Sequence, residues 1–306
     1  MTKSKNIIII GHAALDFIYR IDSFPSSPTK LKAKEHIISG GGMAANAAAA
    51  AAKLRGNVSL WSRIGQDPAG SLICSELQSC GVNTKYIQKF LGTRSATSAV
   101  LVDAHGERFI VSEDDHEMPM GTEWLPLDEI DKAGVVLSDL SWFEGTYLAF
   151  KEAKKRGITT IVDMDLGGGR FLEKILNLTD YVICSAPAFE IFVKGINLTD
   201  RFHWLLSKGV RHAGVTQGSK GYTWLQKEGQ LQHQVAFPID AIDTTGAGDA
   251  FHGAFAWALS EGLEDKKCAE YAAAAASLKC RKLGARSGLP TLEELETFLS
   301  KMTSLQ

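Results

Sequence analysis

Short β-branched runs alternate with helix-patterned stretches along this chain, and that alternation constrains its folding more than any other feature. "NIIIIG" reads as a strand, "GMAANAAAAAAKLRG" as a helix, "VSLWSRIG" as a strand and "PAGSLICSELQSCG" as a helix. The rhythm resumes with "GVVLSDL", "TYLAFKEAKKRG", "ITTIVDMDL", "DYVICSA" and "AGVTQGSKGYTWL". Successive βα units wind onto a mostly parallel sheet. Strands rich in Ile and Val on both faces need helices on both sides. The expected fold class is therefore α/β: a doubly wound, mostly parallel sheet covered by helices on both faces.

Two stretches break the rhythm, at about 15–38 and about 93–112. Both alternate apolar and polar residues as half-exposed strands do, and "DAHGER" supplies a hairpin turn. They are expected to form a small β-sheet lid or an oligomer interface, as excursions from one domain spanning 1–306. A chain of 306 residues can bury such a core. The alanine runs at 47–52 and 272–276 read as closely packed helices, and "KEAKKRG" as a solvated helix face ending at Gly157.

The charge balance, Lys+Arg 33 against Asp+Glu 35, offers no global basic field for nucleic acid or an anionic membrane, so a small-molecule partner is expected. The five cysteines make no C-x-x-C pair, and the odd number fits reduced thiols in a cytoplasmic protein. The one N-terminal apolar run, Ile7 to Ile10, is too short for a signal segment or a membrane span.

Two glycine-rich motifs carry the chemistry. In "AIDTTGAGDAFHGAFAWAL", Gly246, Ala247 and Gly248 precede an apparent helix with Asp249 at its start. This is either a turn with a capping acid or an anion cradle with a base beside it. As a cradle, the amides would stabilise charge on a transferring phosphoryl group, and Asp249 would take the proton of an attacking hydroxyl, worth roughly 10²–10⁴ in rate. In "SGGGMAANAAAAAA", the glycines let backbone approach a ligand, and Asn46 is a poor packing choice on an otherwise all-alanine face. No G-x-x-x-x-G-K-[ST] occurs and no G-x-G-x-x-G follows the first strand, which disfavours P-loop and dinucleotide-binding enzymes. No clustered Cys/His suggests zinc, and His252 reads as a packed or hydrogen-bonded residue.

"GGGMAAN" followed by "DTTGAGDAFHGAF" resembles the paired motifs of the PfkB (ribokinase-like) carbohydrate kinases, and the resemblance covers essentially the whole chain. It implies an ATP- and Mg2+-dependent sugar kinase with a ribokinase-like fold, acting as a homodimer paired through its lids. It implies that Asp16, Gly41, Gly42 and Asn46 hold the sugar, that Gly246, Ala247 and Gly248 form the anion hole, and that Asp249 is the catalytic base. Thr216, Gly218, Ser219 and Gly221 match the turn along the nucleotide phosphates; Gly248 also faces the nucleotide, and Cys280 lies in the segment flanking adenine. Some members hold a monovalent cation in a loop corresponding to Asp243 and Thr245. The family's N-x-x-E is degenerate here: Ser185 stands at the Asn position and Glu190 is displaced, so no magnesium ligand is assigned.

Within the family, "GERFIV", "VVLSDLSW" and "LKC" followed by G-x-R-x-G-x-P are closest to the sulfofructose kinase and fructokinase branch, where Lys30 matches a lysine reaching an anionic substrate end. That branch has Asn and Arg where this chain has Ser112 and Ser141. Exchanging an Arg fork for a hydroxyl removes a charge-assisted partner. A neutral ketose, as in fructokinase or ketohexokinase, is therefore expected over 6-deoxy-6-sulfofructose. A non-catalytic sugar or nucleotide sensor is the alternative of another class, which the intact base and anion hole argue against.

Overall fold

The computed structural model describes residues 5–114 and 117–304. In chain order the strands are β1 (Asn6–Ile10), β2 (Ala14–Arg20), β3 (Glu35–Gly41), β4 (Val58–Gly65), β5 (Ile87–Phe90), β6 (Ala96–Val102), β7 (Arg108–Glu113), β8 (Ala133–Ser138), β9 (Thr159–Met164), β10 (Tyr181–Ser185), β11 (His212–Thr216), β12 (Tyr222–Gln226) and β13 (Gln232–Gln234). The helices are α1 (Met43–Lys53), α2 (Pro68–Ser79), α3 (Phe143–Lys155), α4 (Leu172–Ile175), α5 (Ala186–Phe192), α6 (Leu198–Ser207), α7 (Ala247–Ser260), α8 (Asp265–Lys279) and α9 (Leu292–Thr303).

Among the described residues, nine strands form one sheet in the order β13-β12-β11-β10-β9-β8-β1-β4-β5, parallel except for the antiparallel pairings of β12. The place of β1 inside this sheet, between β8 and β4, explains the unbroken isoleucine run. Ile7 and Ile9 pack with α1, α7 and α8 on one face, while Ile8 and Ile10 pack with Phe150, Phe189 and Phe202 from α3, α5 and α6 on the other. A strand side-chain period of two with helices on both faces requires apolar residues at every position. Helix α3 ends at Lys155, with Gly157 in the left-handed region at φ 68 as expected for a helix stop.

The alanine run of α1 lets α7 come close. All residues from Ala44 to Ala51 are buried, and a Cβ on Gly253 of α7 would fall 2.2 Å from the Ala47 carbonyl oxygen. The two glycine-rich motifs, more than 200 residues apart in sequence, are thereby brought side by side.

The second sheet, β3-β2-β6-β7, comes from the two stretches that break the βα rhythm. Its outer strand pairs are antiparallel and the central β2–β6 pair is parallel. Its faces differ. Asp16 pairs with Ser39 and Ser98, and Ser98 with Ser112, so one polar row crosses all four strands. On the alternate positions Phe17 pairs with Ile38 and Ala99, and Ala99 with Val111; Ile38, Phe109 and Val111 are more than half exposed.

Candidate active site

The C-terminal ends of the parallel strands carry the polar residues of the site, as open α/β sheets do. Gly11 follows β1, Asp139 follows β8, Asp165 follows β9, and Ser185 and Thr216 end β10 and β11.

Helix α1 begins at Gly42, whose φ of 86 suits glycine and whose lack of a side chain leaves the helix uncapped from within. Asp139 caps it from outside. Its Oδ2 accepts from the amides of His12 at 2.9 Å and Ala44 at 3.0 Å, and its Oδ1 accepts from the amide and hydroxyl of Ser141 at 2.9 and 2.6 Å. The hydroxyl of Ser141, expected to face the substrate, is thus engaged by Asp139. Negative charge at a helix N-terminus is favourable, and this acid ties β1, β8 and α1 together.

Asp16 lies on β2 against Gly41, where a Cβ would sit 2.4 Å from both carboxylate oxygens. Burial raises its proton affinity, offset in part by the Ser98 hydroxyl and the Arg286 charge. Gly41 therefore has to be glycine for the acid to fold over the strand. Ser112 ends the polar row on the exposed edge strand, and Lys30 is exposed in the connection between β2 and β3.

Asn46 joins the two motifs. Its Oδ1 accepts from Nε of Arg286 at 2.9 Å, and its Nδ2 donates to Oδ2 of Asp249 at 2.7 Å. A guanidinium only donates, so the amide has one orientation, with its NH2 toward the carboxylate. Arg286 is buried and also donates through Nη2 to the Gly41 carbonyl at 2.9 Å, while Nη1 lies 3.6 Å from Glu76. Gly40 is required here too, since a Cβ would overlap Nη1.

Asp249 lies in the first turn of α7, behind Gly246 in a left-handed conformation at φ 74. The first helical bond runs from Ala250 N–H to Gly246 O, so the amides of Gly248 and Asp249 precede the ladder. The Ala247 amide instead closes a turn onto the Thr244 carbonyl at 3.2 Å, leaving the glycines as the freer parts of the expected cradle. Burial pushes the carboxyl of Asp249 up to about 7, helped by the nearby charge of Asp163 and opposed by the Asn46 hydrogen bond and by His252. His252 is packed as expected: Nδ1 lies 2.8 Å from Gly248 O and 3.3 Å from Asp163, and Nε2 lies 3.3 Å from Ile183 O.

Beside this turn opens a cavity of about 510 Å³. Thr216, Gly218, Ser219, Gly221, Gly248 and Cys280, all named from the sequence for the nucleotide, line it together. Gly248 adjoins Asp249, so the cavity ends where the Asn46–Asp249 network begins. Arg108 of β7 reaches across from the small sheet to donate to Oγ1 of Thr245 at 3.3 Å.

The degenerate N-x-x-E segment is turned to other uses. Ser185 caps α5 and donates to Asp165 at 2.7 Å, and Glu190 pairs with Arg201 of α6 at 2.7 Å. Among the described residues, no cluster of three His, Cys, Asp or Glu side chains is arranged to hold a metal ion.

Sequence reasoning missed Arg286, Asp139 and Ser98. Ser98 was legible in principle, because strand alternation puts it beside Asp16; Asp139 is an acid at a strand end like Asp16. Arg286 had no local signal, since only the fold brings "GARSG" under α1.

Known proteins resemble this chain over nearly its whole length. The family model for pfkB family carbohydrate kinases matches residues 4–292. A deoxyribokinase of Salmonella typhimurium is 27% identical over 96% of this chain and 99% of its own length, and an Arabidopsis thaliana ribokinase is 29% identical over 93% and 78%. Among solved structures, a candidate ribokinase from Agrobacterium tumefaciens is 30% identical with a TM-score of 0.93, covering 99% of both chains. The Arabidopsis thaliana ribokinase complexed with ribose and ATP is 25% identical with a TM-score of 0.85, covering 97% of this chain and 99% of that one.

Proposed function

This chain belongs to the pfkB family of carbohydrate kinases, and on that premise we propose that it transfers the γ-phosphoryl group of ATP to the primary hydroxyl of a neutral pentose or ketose. The observation that carries the proposal is the position of Asp249, between the 510 Å³ cavity and the polar row of the small sheet, with a carboxyl that burial pushes up to about 7. A base of that strength accepts a proton near neutral pH. Asp249 takes the proton of the attacking hydroxyl, the amides at the start of α7 stabilise charge on the transferring group, and Asp16, Gly41, Gly42, Asn46 and Ser112 hold the sugar.

A neutral sugar fits the electrostatics. The basic side chains that act on Asp16 are Arg286, engaged by Asn46 and Gly41, and the His12 imidazole, which lies 3.6 Å from Asp114. Arg286 has Nε and Nη2 engaged and only Nη1 without a hydrogen-bond partner, which is one donor and not the pair that a sulfonate-binding fork needs, and Lys30 lies exposed. The deoxyribokinase and ribokinase names among the relatives support adding pentoses to the ketoses expected from the sequence.

Thr216, Gly218, Ser219, Gly221 and Cys280 would line the nucleotide. Magnesium would arrive on its phosphates and neutralise their charge, with the partly exposed Asp165, held by Ser185, as the carboxylate placed to meet its water shell. The small sheet acts as a lid that excludes water, Arg108 reaching the anion loop. Its apolar outer face, with Ile38, Phe109 and Val111, suits a lid-to-lid homodimer.

The test is ATP consumption with magnesium across ribose, deoxyribose, fructose, other ketoses, adenosine and sulfofructose, with Asp249→Asn as control. Turnover on a neutral sugar that depends on Asp249 is expected. Turnover confined to sulfofructose would overturn the neutral-substrate assignment, and Asp249-independent turnover would overturn the role of the base.

A further inference from the structure

The cation loop that the family resemblance implies at Asp243 and Thr245 does not fit an added ion in this chain. Both carboxylate oxygens of Asp243 are engaged. Oδ1 accepts from the amide and hydroxyl of Thr245 at 2.9 and 2.7 Å, and Oδ2 accepts from the amide of Gly284 at 2.8 Å. The Asp243 backbone carbonyl accepts from Nζ of Lys279 at 2.8 Å, and the same Nζ lies 3.9 Å from Oδ2. Lys279 is the last residue of α8, and its side chain is wholly removed from solvent.

From these contacts we infer that the Lys279 ammonium is a resident cation standing in for a potassium or ammonium ion, so that the Asp243–Gly248 loop keeps its shape and the kinase needs no added monovalent cation. An ammonium is a compact point charge that donates to carbonyl oxygens. Here it is tethered, and a helix C-terminus is a favourable place for it. Burial alone would raise the Asp243 carboxyl, yet Lys279, Thr245 and Gly284 hold it below the usual carboxylate range. Burial also lowers the proton affinity of Lys279, and Asp243 opposes that. Each charge is thus kept by the other, as a buried pair requires.

The surrounding chain is closed over the pair. The carbonyl of Cys280 accepts from the amides of Ile242 and Asp243 at 2.8 and 3.1 Å, stitching the end of α8 to the loop. A Cβ on Gly288 would lie 2.1 Å from the Lys279 carbonyl oxygen, so the Gly284–Gly288 segment packs directly on it. Three segments that a bound ion would gather are gathered by one side chain. Gly246 to Gly248 follow directly, so the position of Lys279 bears on the anion cradle.

The experiment compares wild type and Lys279→Ala in buffer free of alkali metals, with choline, sodium, potassium or ammonium chloride at equal ionic strength. Sugar-dependent turnover and thermal unfolding are both read. Wild-type turnover is expected to agree within twofold across the salts, with no unfolding shift specific to potassium or ammonium. Lys279→Ala is expected to turn over at least tenfold more slowly in choline and to recover in ammonium or potassium, with a matching rise in unfolding temperature. Activation of the wild type by tenfold or more with potassium or ammonium would overturn the inference, and that arm needs no variant. A folded Lys279→Ala that responds to ammonium and potassium no more than to choline would equally overturn it, reducing Lys279 to an ordinary core ion pair. The kinetic arm rests on the proposed phosphoryl transfer. If no sugar is turned over, that reading fails while the unfolding comparison still decides this one.

Discussion

Asp249 separates two halves of the site that are built in opposite ways. On the side proposed for the sugar, Asp16, Asn46 and Arg286 are buried; hydrogen bonds of 2.7–2.9 Å join Arg286 to Gly41 and Asn46 and Asn46 to Asp249, and the Arg286 charge acts on Asp16, with Gly40 and Gly41 leaving the space they need. On the side proposed for the nucleotide, the cavity is lined by small and apolar residues such as Ala236, Phe237, Ile239 and Ala273. A buried polar network is costly to leave half-satisfied and therefore discriminates strongly. An apolar slot that holds a ring by shape tolerates substitution. Selectivity should reside in the first half and tolerance in the second.

The largest effect is expected at the boundary. Asp249→Asn should lower kcat by at least ~10² while both ligands still bind, measured by steady-state kinetics with calorimetric binding. The wild-type rate should fall as pH drops below about 7, because the base must be ionised. The stability effect runs the opposite way. The folded state binds this proton more tightly than the unfolded state, so its contribution is fully present below the ordinary carboxylate range and is lost as pH rises through about 7. At pH 8 the Asn variant should therefore unfold at a higher temperature than wild type, and a lower one would contradict the strained carboxylate.

Next comes the sugar half. Gly41→Ala puts a Cβ against the Asp16 carboxylate, and overpacking of this kind costs roughly 1–3 kcal/mol, or ~10–100-fold in kcat/KM for the sugar. The KM for ATP should stay within about twofold. Equal losses toward both substrates would mean that the halves are not separable.

Arg286→Met should act through Asn46. Without the guanidinium, only the ionised carboxylate itself selects the NH2 end of the amide, so the donor that opposes the raised carboxyl is less firmly held. The other groups that set this carboxyl, Asp163 on β9, His252 on α7 and Asp139 after β8, stay in place. The acid limb of kcat/KM should move to higher pH, with a loss of about tenfold at pH 7. An unchanged limb with a uniform loss would make Arg286 a packing residue only.

The difference between the halves also explains what was legible in the sequence. The half proposed for the nucleotide is built from turns and helix ends whose residues signal locally, and Thr216, Gly218, Ser219, Gly221, Gly248 and Cys280, each named from a local motif, line one cavity. The βα rhythm and the two lid stretches were legible for the same reason, as periodicity is a local property. The sugar half depends on contacts over long separations, such as Arg286 with Asn46 and Asp139 with Ala44. No window of sequence contains both partners of these contacts. Glu190, legible as displaced, could not be seen to pair with Arg201.

The smallest effect should come from the wall of the nucleotide cavity, where Cys280 and Ser277 lie. The Ser277 hydroxyl donates to the Phe237 carbonyl at 3.2 Å and the Cys280 thiol lies 3.2 Å from the Ala276 carbonyl, so both polar atoms are satisfied within the protein. Ser277→Ala leaves one carbonyl without its donor, and Cys280→Ser changes an atom that already faces its own helix. Neither removes a partner that a network depends on, unlike Arg286. Each should change the KM for ATP by less than about threefold, leave the sugar KM unaltered and leave the acid limb of the pH profile in place. A loss of tenfold or more at either position would mean that the nucleotide is held by specific polar contacts in this wall, and the contrast between a networked half and a shaped half would fail.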